Sequence, residues 1–376
     1  MEPACAQVAW PVAGFREGTM ISIMLSLACA ALLAFTPAAE AGEKLVYAVV
    51  YKGSSYAASK TEIIAIDPET AEKRLVFEDE KTPIVLIQHL YVFHFPVAGG
   101  GKLFAHAFDR GQSLPFPGNG SLYELSADGA NLFRKITPVL GAESLGEVFV
   151  NPTGTRIGYI SRLSKKQYVF IHDVATGDLL SQIDVSDKFL DCFASSIGWL
   201  PYGEKLYFSL ETGDEHVTSK ASYARVGTYL MDERGRHLQK LPGLPALAGF
   251  HPPETSRLIG MTPAGEYVFE TMQSRKNPAR GQNRLHFALL KAASDFSHVD
   301  ELSFTTAAGL YSGIRVNYAL SPSGRFLSAA ALPVSSSAVS SEIWLKDLKT
   351  GAERMIVSIP TAGLQGPFPG LVGWLD

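Results

Sequence analysis

The sequence predicts an all-β fold, a six-bladed β-propeller built from four-stranded antiparallel blades. Three observations predict it: a unit of short strands recurs along the chain, each copy holds the same two turns, and the chain ends are complementary halves of one copy. The strands are runs rich in β-branched and aromatic residues, too short for helices and bounded by turn residues. Units of this kind bury their apolar faces against their neighbours, so they assemble into a continuous array.

The most complete copy of the unit spans residues 151–185. It opens with Asn-Pro-Thr-Gly at 151–154, a type I turn in which Pro fixes φ and Gly takes a left-handed exit. Two short strands follow, and Asp173 then begins a hairpin in which its carboxylate accepts backbone hydrogen bonds and Gly177 supplies a positive φ. With residues 147–150 in front, the unit is a four-stranded meander.

Both turns return along the chain. The x-Pro-x-Gly turn recurs at residues 200–203, 262–265 and 321–324, with a degenerate copy at 96–99. The hairpin Asp recurs as Asp67, Asp232 and Asp347, while Ser126 takes its place once. After the strand expected near 285–290 no such Asp follows, so residues 291–294 must turn by other means.

The two ends of the chain complete one another. Residues 371–376 (LVGWLD) and 42–47 (GEKLVY), placed end to end, reproduce the interior run IGWLPYGEKLY. We therefore expect the C-terminal strand to pair with the N-terminal strands and close the ring, which leaves no unpaired face between blades. The six blades are expected at 370–376 with 44–77, 85–137, 146–185, 195–241, 257–304 and 314–358.

The N-terminal region is predicted to be a targeting segment. An apolar run at 21–35 is followed by Ala39-Glu40-Ala41, a small-x-small site of the kind that signal peptidase cleaves. We expect residues 1–19 to be a mis-called extension, 20–41 a signal peptide and 42–376 a single propeller domain, periplasmic or secreted. An uncleaved anchor facing the periplasm stays open, because the run approaches the roughly 20 residues that span a membrane.

Charge and cysteine content exclude some functions. The net charge of −4 and a pI near 6.2 argue against general nucleic-acid binding. After cleavage Cys192 is the one cysteine left of three, so no intrachain disulfide is expected. The sequence contains no second membrane span.

The repeat resembles the TolB-type (WD-like) propeller repeat. The resemblance lies in SPSGRFLSAAA with EIWLKDLKTGAERMI and in NPTGTRIGYIS with YVFIHDVATGDLL: a Ser-Pro-Asp-Gly-like turn, an apolar strand, and a strand that ends in Asp before a Gly turn. It implies a six-bladed periplasmic ring that works mainly as a binding or scaffold module. TolB also has an N-terminal α/β domain, for which there is no room before Lys44. The family's usual turn Asp is replaced here by Thr153, Tyr202, Ala264 and Ser323, so no role of that Asp carries over.

The long loops are expected on one face of the ring. Connections from second to third strands and crossings between blades share this face, here called the loop face, and the two repeated turns share the opposite turn face. The long loops vary in length, as binding loops on a rigid scaffold do, although neutral decoration is equally open. They lie at residues 52–60, 108–120, 211–225, 273–283 and 333–341.

The candidate binding site is the mouth of the central channel, which first strands line. In residues 314–320 the alternation puts Arg315 and Asn317 on one polar face. With Arg257, His89 and Glu147 from equivalent strands they form a candidate polar funnel for a small ligand. The alternative is that these groups only solvate a water-filled channel.

Catalytic and metal-binding signals are weak. The 9 histidines show no ligand-pair spacing beside a carboxylate, and no Gly-x-Ser-x-Gly elbow is present. We therefore expect no metal or other cofactor, and two classes of function stay open. The first is a monomeric, non-catalytic propeller that binds protein or glycan through its loop face. The second is a lyase, lactonase or cyclase acting on a small substrate at the channel mouth.

Overall fold

The strands form six antiparallel sheets that match the six predicted blades. The computed structural model describes residues 42–51, 53, 59–86, 96–110, 120–140, 144–163, 166–185, 192–201, 205–212, 227–251, 253, 255–276, 285–302, 304, 317–331, 340–360, 362–364 and 370–375. Residues 1–41, with the predicted signal peptide, lie outside this range. No helix of the described residues is long and apolar enough to cross a membrane.

The first three blades contain the first twelve strands of the chain. Blade 1 contains β1 (Lys44–Tyr51), β2 (Lys60–Ile66) and β3 (Lys73–Glu78). Blade 2 contains β4 (Ile84–Val85), β5 (Val97–Gly99), β6 (Lys102–Asp109), β7 (Ser121–Leu125) and β8 (Phe133–Pro138). Blade 3 contains β9 (Ser144–Val150), β10 (Arg156–Leu163), β11 (Lys166–Asp173) and β12 (Leu179–Asp184). In blade 2 the first strand is split, since β4 and β5 both pair with β6.

The other three blades follow the same order. Blade 4 contains β13 (Cys192–Trp199), β14 (Lys205–Thr212), β15 (Gly227–Asp232) and β16 (Gln239–Lys240). Blade 5 contains β17 (Thr255–Met261), β18 (Tyr267–Ser274), β19 (Leu285–Ala292) and β20 (Val299–Glu301). Blade 6 contains β21 (Asn317–Leu320), β22 (Phe326–Ala331), β23 (Ser340–Asp347) and β24 (Glu353–Pro360). The last strand, β25 (Gly370–Leu375), belongs to blade 1.

The ring closes as the sequence predicts. β25 pairs antiparallel with β1, with Leu375 opposite Lys44 and Trp374 opposite Leu45. Each blade's first strand contacts the first strand of the next blade, in the cycle β25, β5, β9, β13, β17, β21 and back to β25. The first strands are therefore the innermost ones.

Among the residues that the structure describes, the core consists of six apolar clusters, one at each interface between neighbouring blades. Between blades 6 and 1, for example, Tyr47 packs with Phe326, Leu345 and Trp374. The other clusters lie between blades 1 and 2, 2 and 3, 3 and 4, 4 and 5, and 5 and 6. At about 25 cal/mol per Å² of buried apolar surface, these interfaces supply the main stabilisation of the ring.

The x-Pro-x-Gly turns form as predicted at three described sites. The N–H of Gly154, Gly265 and Gly324 donates to the carbonyl three residues earlier, at 2.9, 2.9 and 2.8 Å. Each glycine has a positive φ, which L side chains rarely adopt. The degenerate copy at residues 96–99 was predicted wrongly. Residues Val97–Gly99 form a strand, and the turn is Gly100-Gly101, where both residues have a positive φ. Two-residue hairpin turns that need a positive φ at both positions favour Gly-Gly.

The Asp hairpins also form as predicted. In blades 1, 3 and 6 the Asp Oδ1 accepts two backbone N–H groups, at 2.8 and 3.0 Å for Asp67, 2.9 and 2.9 Å for Asp173, and 2.8 and 3.0 Å for Asp347. Blade 5 turns differently. There Phe296 takes a φ of 59° and stacks on Tyr267, which offsets the strain of that conformation.

Candidate functional site

Two of the predicted channel residues lie together at the inner rim of the ring. Glu147 on β9 and Arg257 on β17 approach to 3.6 Å between Oε1 and Nη2. Their side chains are 39% and 30% exposed, so solvent reaches both. Two first strands from different blades thus bring a carboxylate and a guanidinium together at the inner rim.

A β-bulge explains the position of Glu147. Tyr159 pairs with Val148 and Ser161 with Leu145, so Gly146 and Glu147 both face Ile160. A bulge redirects a side chain out of the regular ladder. Glu147 Oε2 accepts the N–H of Ile197 in blade 4 at 3.0 Å, which holds the carboxylate across the blade interface.

Glu270 and Tyr207 lie beside Glu147 and Arg257, and we call these four residues the inner-rim cluster. The sequence analysis predicted neither Glu270 nor Tyr207. Glu270 on β18 lies opposite Arg257, with Oε2 3.8 Å from its Nη1. Tyr207 on β14 is an electrostatic neighbour of Glu147 and Arg257. Burial and then the Glu147 carboxylate raise the pKa of Tyr207. Enclosure by the surrounding blades raises the pKa of the Glu147 carboxyl even though its side chain is 39% exposed, whereas Arg257 and the Ile197 N–H lower it.

Of the other three predicted site residues, the structure describes only the backbone of Asn317. Asn317 begins β21 and pairs with Ala330, which places it on a first strand as expected. Its side chain lies outside the described part of the structure, as do Arg315 and His89 in full. The five-residue funnel is therefore described for two members, Glu147 and Arg257, and stays a prediction for the rest.

A second group of side chains lies at the loop-face end of blade 5. The Phe250 ring contacts the Arg275 guanidinium at 4.8 Å and stacks on the His286 imidazole at 4.7 Å. His286 Nε2 in turn lies 3.3 Å from Glu301 Oε1. We call Phe250, Arg275 and His286 the blade 5 stack. It combines an aromatic ring with a cation, in a loop region that the sequence predicts to carry binding groups.

Backbone pairing fixes the blade 5 stack in place. The crossing from blade 4 runs beside the end of β18, where Phe250 forms a bridge with Arg275. The His251 N–H donates to Ser274 O at 2.9 Å and the Lys276 N–H to Gly249 O at 3.0 Å. The inner hairpin of blade 5 is thereby extended beyond β17 at its loop-face end. The backbone at Phe250 and Arg275 is therefore ordered before any ligand arrives, which lowers the entropic cost of binding.

Comparison with known proteins identifies the fold. No protein-family model and no curated protein matches the chain. Among solved structures, TolB from Acinetobacter baumannii is 14% identical with a TM-score of 0.55, over 94% of this chain and 71% of that one. A protein described as TolB from Agrobacterium tumefaciens is 15% identical with a TM-score of 0.49, over 88% and 91%. Oligogalacturonate lyase from Vibrio parahaemolyticus is 11% identical with a TM-score of 0.43, over 83% and 79%.

These similarities bear on architecture alone, since sequence identity is low throughout. The chain is a six-bladed β-propeller that is structurally similar to TolB from Acinetobacter baumannii.

Proposed function

We propose that this chain is an exported, non-catalytic binding module that takes a protein ligand at the loop-face end of blade 5. The blade 5 stack is the observation that carries the proposal. Aromatic residues and Arg are enriched in protein interfaces and at their energetic hot spots. Phe250 and Arg275 are partly exposed and are fixed by backbone hydrogen bonds, so they present such a pair without reorganisation.

The contrast with the turn face supports this choice of surface. On the turn face, Oδ1 of each hairpin Asp accepts backbone N–H groups of its own turn, so it serves to close the hairpin. The loop-face connections differ in length from blade to blade, and variation on a fixed frame is how one fold acquires a binding site.

A photo-crosslinking residue at His251, which is exposed beside the stack, tests the proposal in source cells. We expect a discrete protein adduct at this position, lost when Phe250→Ala and Arg275→Gln are combined. The same residue at exposed Lys349 on the turn face is the matched control and is expected to give no such adduct.

Two results would refute the proposed ligand class or surface. Equal adducts at His251 and Lys349 would place the contact elsewhere. A glycan array on which the wild type binds and the double variant does not, with no protein adduct, would replace the protein ligand with a glycan.

Export is supported by the apolar run at 21–35 and the Ala39-Glu40-Ala41 site. Intact-mass measurement on protein from the exported fraction should give a chain that begins at or near Gly42. Recovery of the uncleaved chain in membranes would instead mean an N-terminal anchor.

A second candidate function is a small-substrate enzyme at the channel mouth. Glu147 favours it, because a carboxyl with a raised pKa beside Arg257 and Tyr207 has the features of a general acid or base. Turnover of a lactone or polyuronate panel, abolished by Glu147→Gln with the fold intact, would establish this function. Turnover unchanged by Glu147→Gln would exclude Glu147 from the chemistry.

A further inference from the structure

A cavity of about 190 Å³ lies between blades 4 and 5. Its apolar walls come from both blades and from the crossing that joins them, and include Leu241, Leu244 and Phe269. These three side chains are 7%, 7% and 1% exposed. A dry, apolar-walled space of roughly 150 Å³ is enough to bind benzene. The cavity therefore has room for a molecule somewhat larger than one aromatic ring.

Polar groups converge on the same cavity. Lys240, Thr228 and Ser256 line it beside the apolar residues. The Thr228 hydroxyl already pairs with Ser209 Oγ at 3.1 Å, and the Lys240 ammonium lies 5.7 Å from the centre of the Tyr229 ring. Lys240 is the one charged group among the described lining residues, and it is exposed to solvent. An apolar body with a few polar groups at one side is the usual composition of a small-molecule site.

The crossing forms one wall of the cavity and is fixed at both ends. The Leu241 N–H donates to Thr228 O at 2.8 Å, and the Leu247 N–H donates to Gln273 Oε1 at 3.1 Å. Gly243 lies between these two anchors, with no neighbouring atom within 4 Å of the place where a Cβ would be. Leu241 and Leu244 on this crossing belong to the apolar cluster between blades 4 and 5, so the wall of the cavity is part of the blade interface.

We propose that this cavity binds a small monocarboxylate with a compact apolar body, of about the size of benzoate. The ring or short alkyl group lies against Leu244 and Phe269, and the carboxylate lies at the Lys240 ammonium. Charge selects an anion, and volume selects a single ring. The inference does not rest on the proposed protein ligand, because none of these residues belongs to the blade 5 stack.

Fluorine NMR of 4-fluorobenzoate with the purified chain tests the proposal, and 4-fluorobenzyl alcohol is the neutral probe of matched shape. We expect saturable line broadening with the acid and about tenfold weaker binding of the alcohol, a difference of about 1.4 kcal/mol. Lys240→Met should reduce acid binding about tenfold as well and leave alcohol binding unchanged. Leu244→Trp, which fills the cavity, should abolish the binding of both probes.

Controls separate this site from the rest of the surface. Lys349→Met removes an exposed lysine on the turn face and should leave the binding of both fluorinated probes unchanged, as should Phe250→Ala in the blade 5 stack. The absence of saturable acid binding by the wild type overturns the proposal, as does alcohol binding equal to acid binding. If Leu244→Trp does not fold, Lys240→Met decides the matter by itself, and unchanged binding of the acid by that variant overturns the proposal.

Discussion

Blades 4 and 5 differ from the other four blades in their outer strands. The outer strands β3, β8 and β12 have 6 residues each and β24 has 8, whereas β16 has 2 and β20 has 3. The first strands do not follow this division, since β13 has 8 residues and β17 has 7, against 7 in β9. Closure of the ring thus depends on the inner strands, and the periphery is free to vary.

The same two blades carry the features on which both proposals rest. The crossing between them forms a wall of the cavity and then one part of the blade 5 stack. Where a full outer strand would cover the third strand, blade 4 has only a two-residue pair, Tyr229 with Lys240 and Leu230 with Gln239. The comparison teaches that a shorter outer strand leaves space for a binding site while the inner strands that close the ring keep their length.

A second difference concerns arginines that join neighbouring blades on the turn face. Arg74, Arg134 and Arg354 occupy equivalent outer-strand positions and donate to carbonyls of the next blade: Ala127 O at 3.0 Å, Val174 O at 2.9 Å and Glu69 O at 3.3 Å. At this position blades 3, 4 and 5 have Ser181, Gln239 and Asp300. The arc from blade 6 to blade 3 is therefore reinforced in a way that blades 4 and 5 are not.

The largest effect is expected from removing β25. Deleting residues 370–376 takes Leu371 and Trp374 from one blade interface and Val372 and Leu375 from another. At roughly 1.5–3 kcal/mol for each buried side chain, the loss is roughly 6 kcal/mol or more, comparable to the whole stability of a domain. Calorimetry should show no cooperative transition near that of the intact chain.

The matched control returns the same residues to the other end. Fusing residues 370–376 in front of Glu43 through a short linker should restore the transition, because the strand then enters blade 1 through a turn like those of the other blades. An unchanged melting temperature after the deletion alone would mean that β25 does not close the ring.

The next effect compares one substitution in the two regions. Leu345→Ala, in the cluster between blades 6 and 1, should cost about 2–5 kcal/mol because a fully packed site leaves a cavity. Leu244→Ala, in the crossing beside the existing cavity, should cost less, near the lower end of about 2–5 kcal/mol, because the exposed side of the crossing can collapse towards the cavity. Urea unfolding of both variants measures the difference, and equal costs would show that the crossing is as rigid as the core.

A smaller effect concerns pH and the interface between blades 2 and 3. His172 is 2% exposed, stacks on Tyr159, and contacts Gly177 O through Nδ1 at 3.2 Å. Burial lowers its pKa below the ordinary 6.5, so the unfolded chain binds a proton more readily than the folded one. The stability that neutral His172 contributes is present above pH 6.5 and is lost as pH falls through the lower folded pKa.

Unfolding of the wild type and His172→Phe between neutral and mildly acidic pH checks this sign. The wild type should lose about 1.4 kcal/mol more than the variant for each unit by which the folded pKa lies below its ordinary value. Parallel pH profiles would remove His172 as the cause.

The smallest effect is expected from the arginines. Arg354→Gln removes a hydrogen bond to a carbonyl on the exposed surface and should cost about 0.5–1 kcal/mol. Gln239→Ala at the equivalent position of blade 4 should cost less than that. If the two substitutions lower the free energy of unfolding equally, the arginines do not stabilise the contacts between blades 6, 1, 2 and 3.

The fold could be predicted from the sequence because its signals are local and repeated. Pro, Gly and Asp at fixed spacing determine the turns of blades 3 and 6, and the ends of the chain reveal closure by β25. The turn of blade 2 was misplaced because its Pro96 lies ahead of a strand and the glycines of the hairpin follow it. The x-Pro-x-Gly motif alone could not show whether the turn lies at residues 96–99 or at Gly100-Gly101.

The candidate site was less predictable because bulges determine its register. Counting back from the turn at 262–265, with Met261 opposite Tyr267, would place Thr271 opposite Arg257. The shift between Leu258 and Gly260 places Glu270 there instead. The bulge in β9 that redirects Glu147 is equally silent in the sequence. The blade 5 stack escaped notice because Phe250 lies in a crossing and meets Arg275 only through tertiary pairing.

The most direct test of the central claim, a closed inner frame with a specialised periphery in blades 4 and 5, is residue-resolved native-state hydrogen exchange. Amides in the first and second strands of all six blades, and in β12 and β24, should exchange only through global unfolding. Amides of β16, of β20 and of the crossing around Leu244 should exchange through local opening at much lower free energy. Protection of β16 and β20 equal to that of β12 and β24 would contradict the account.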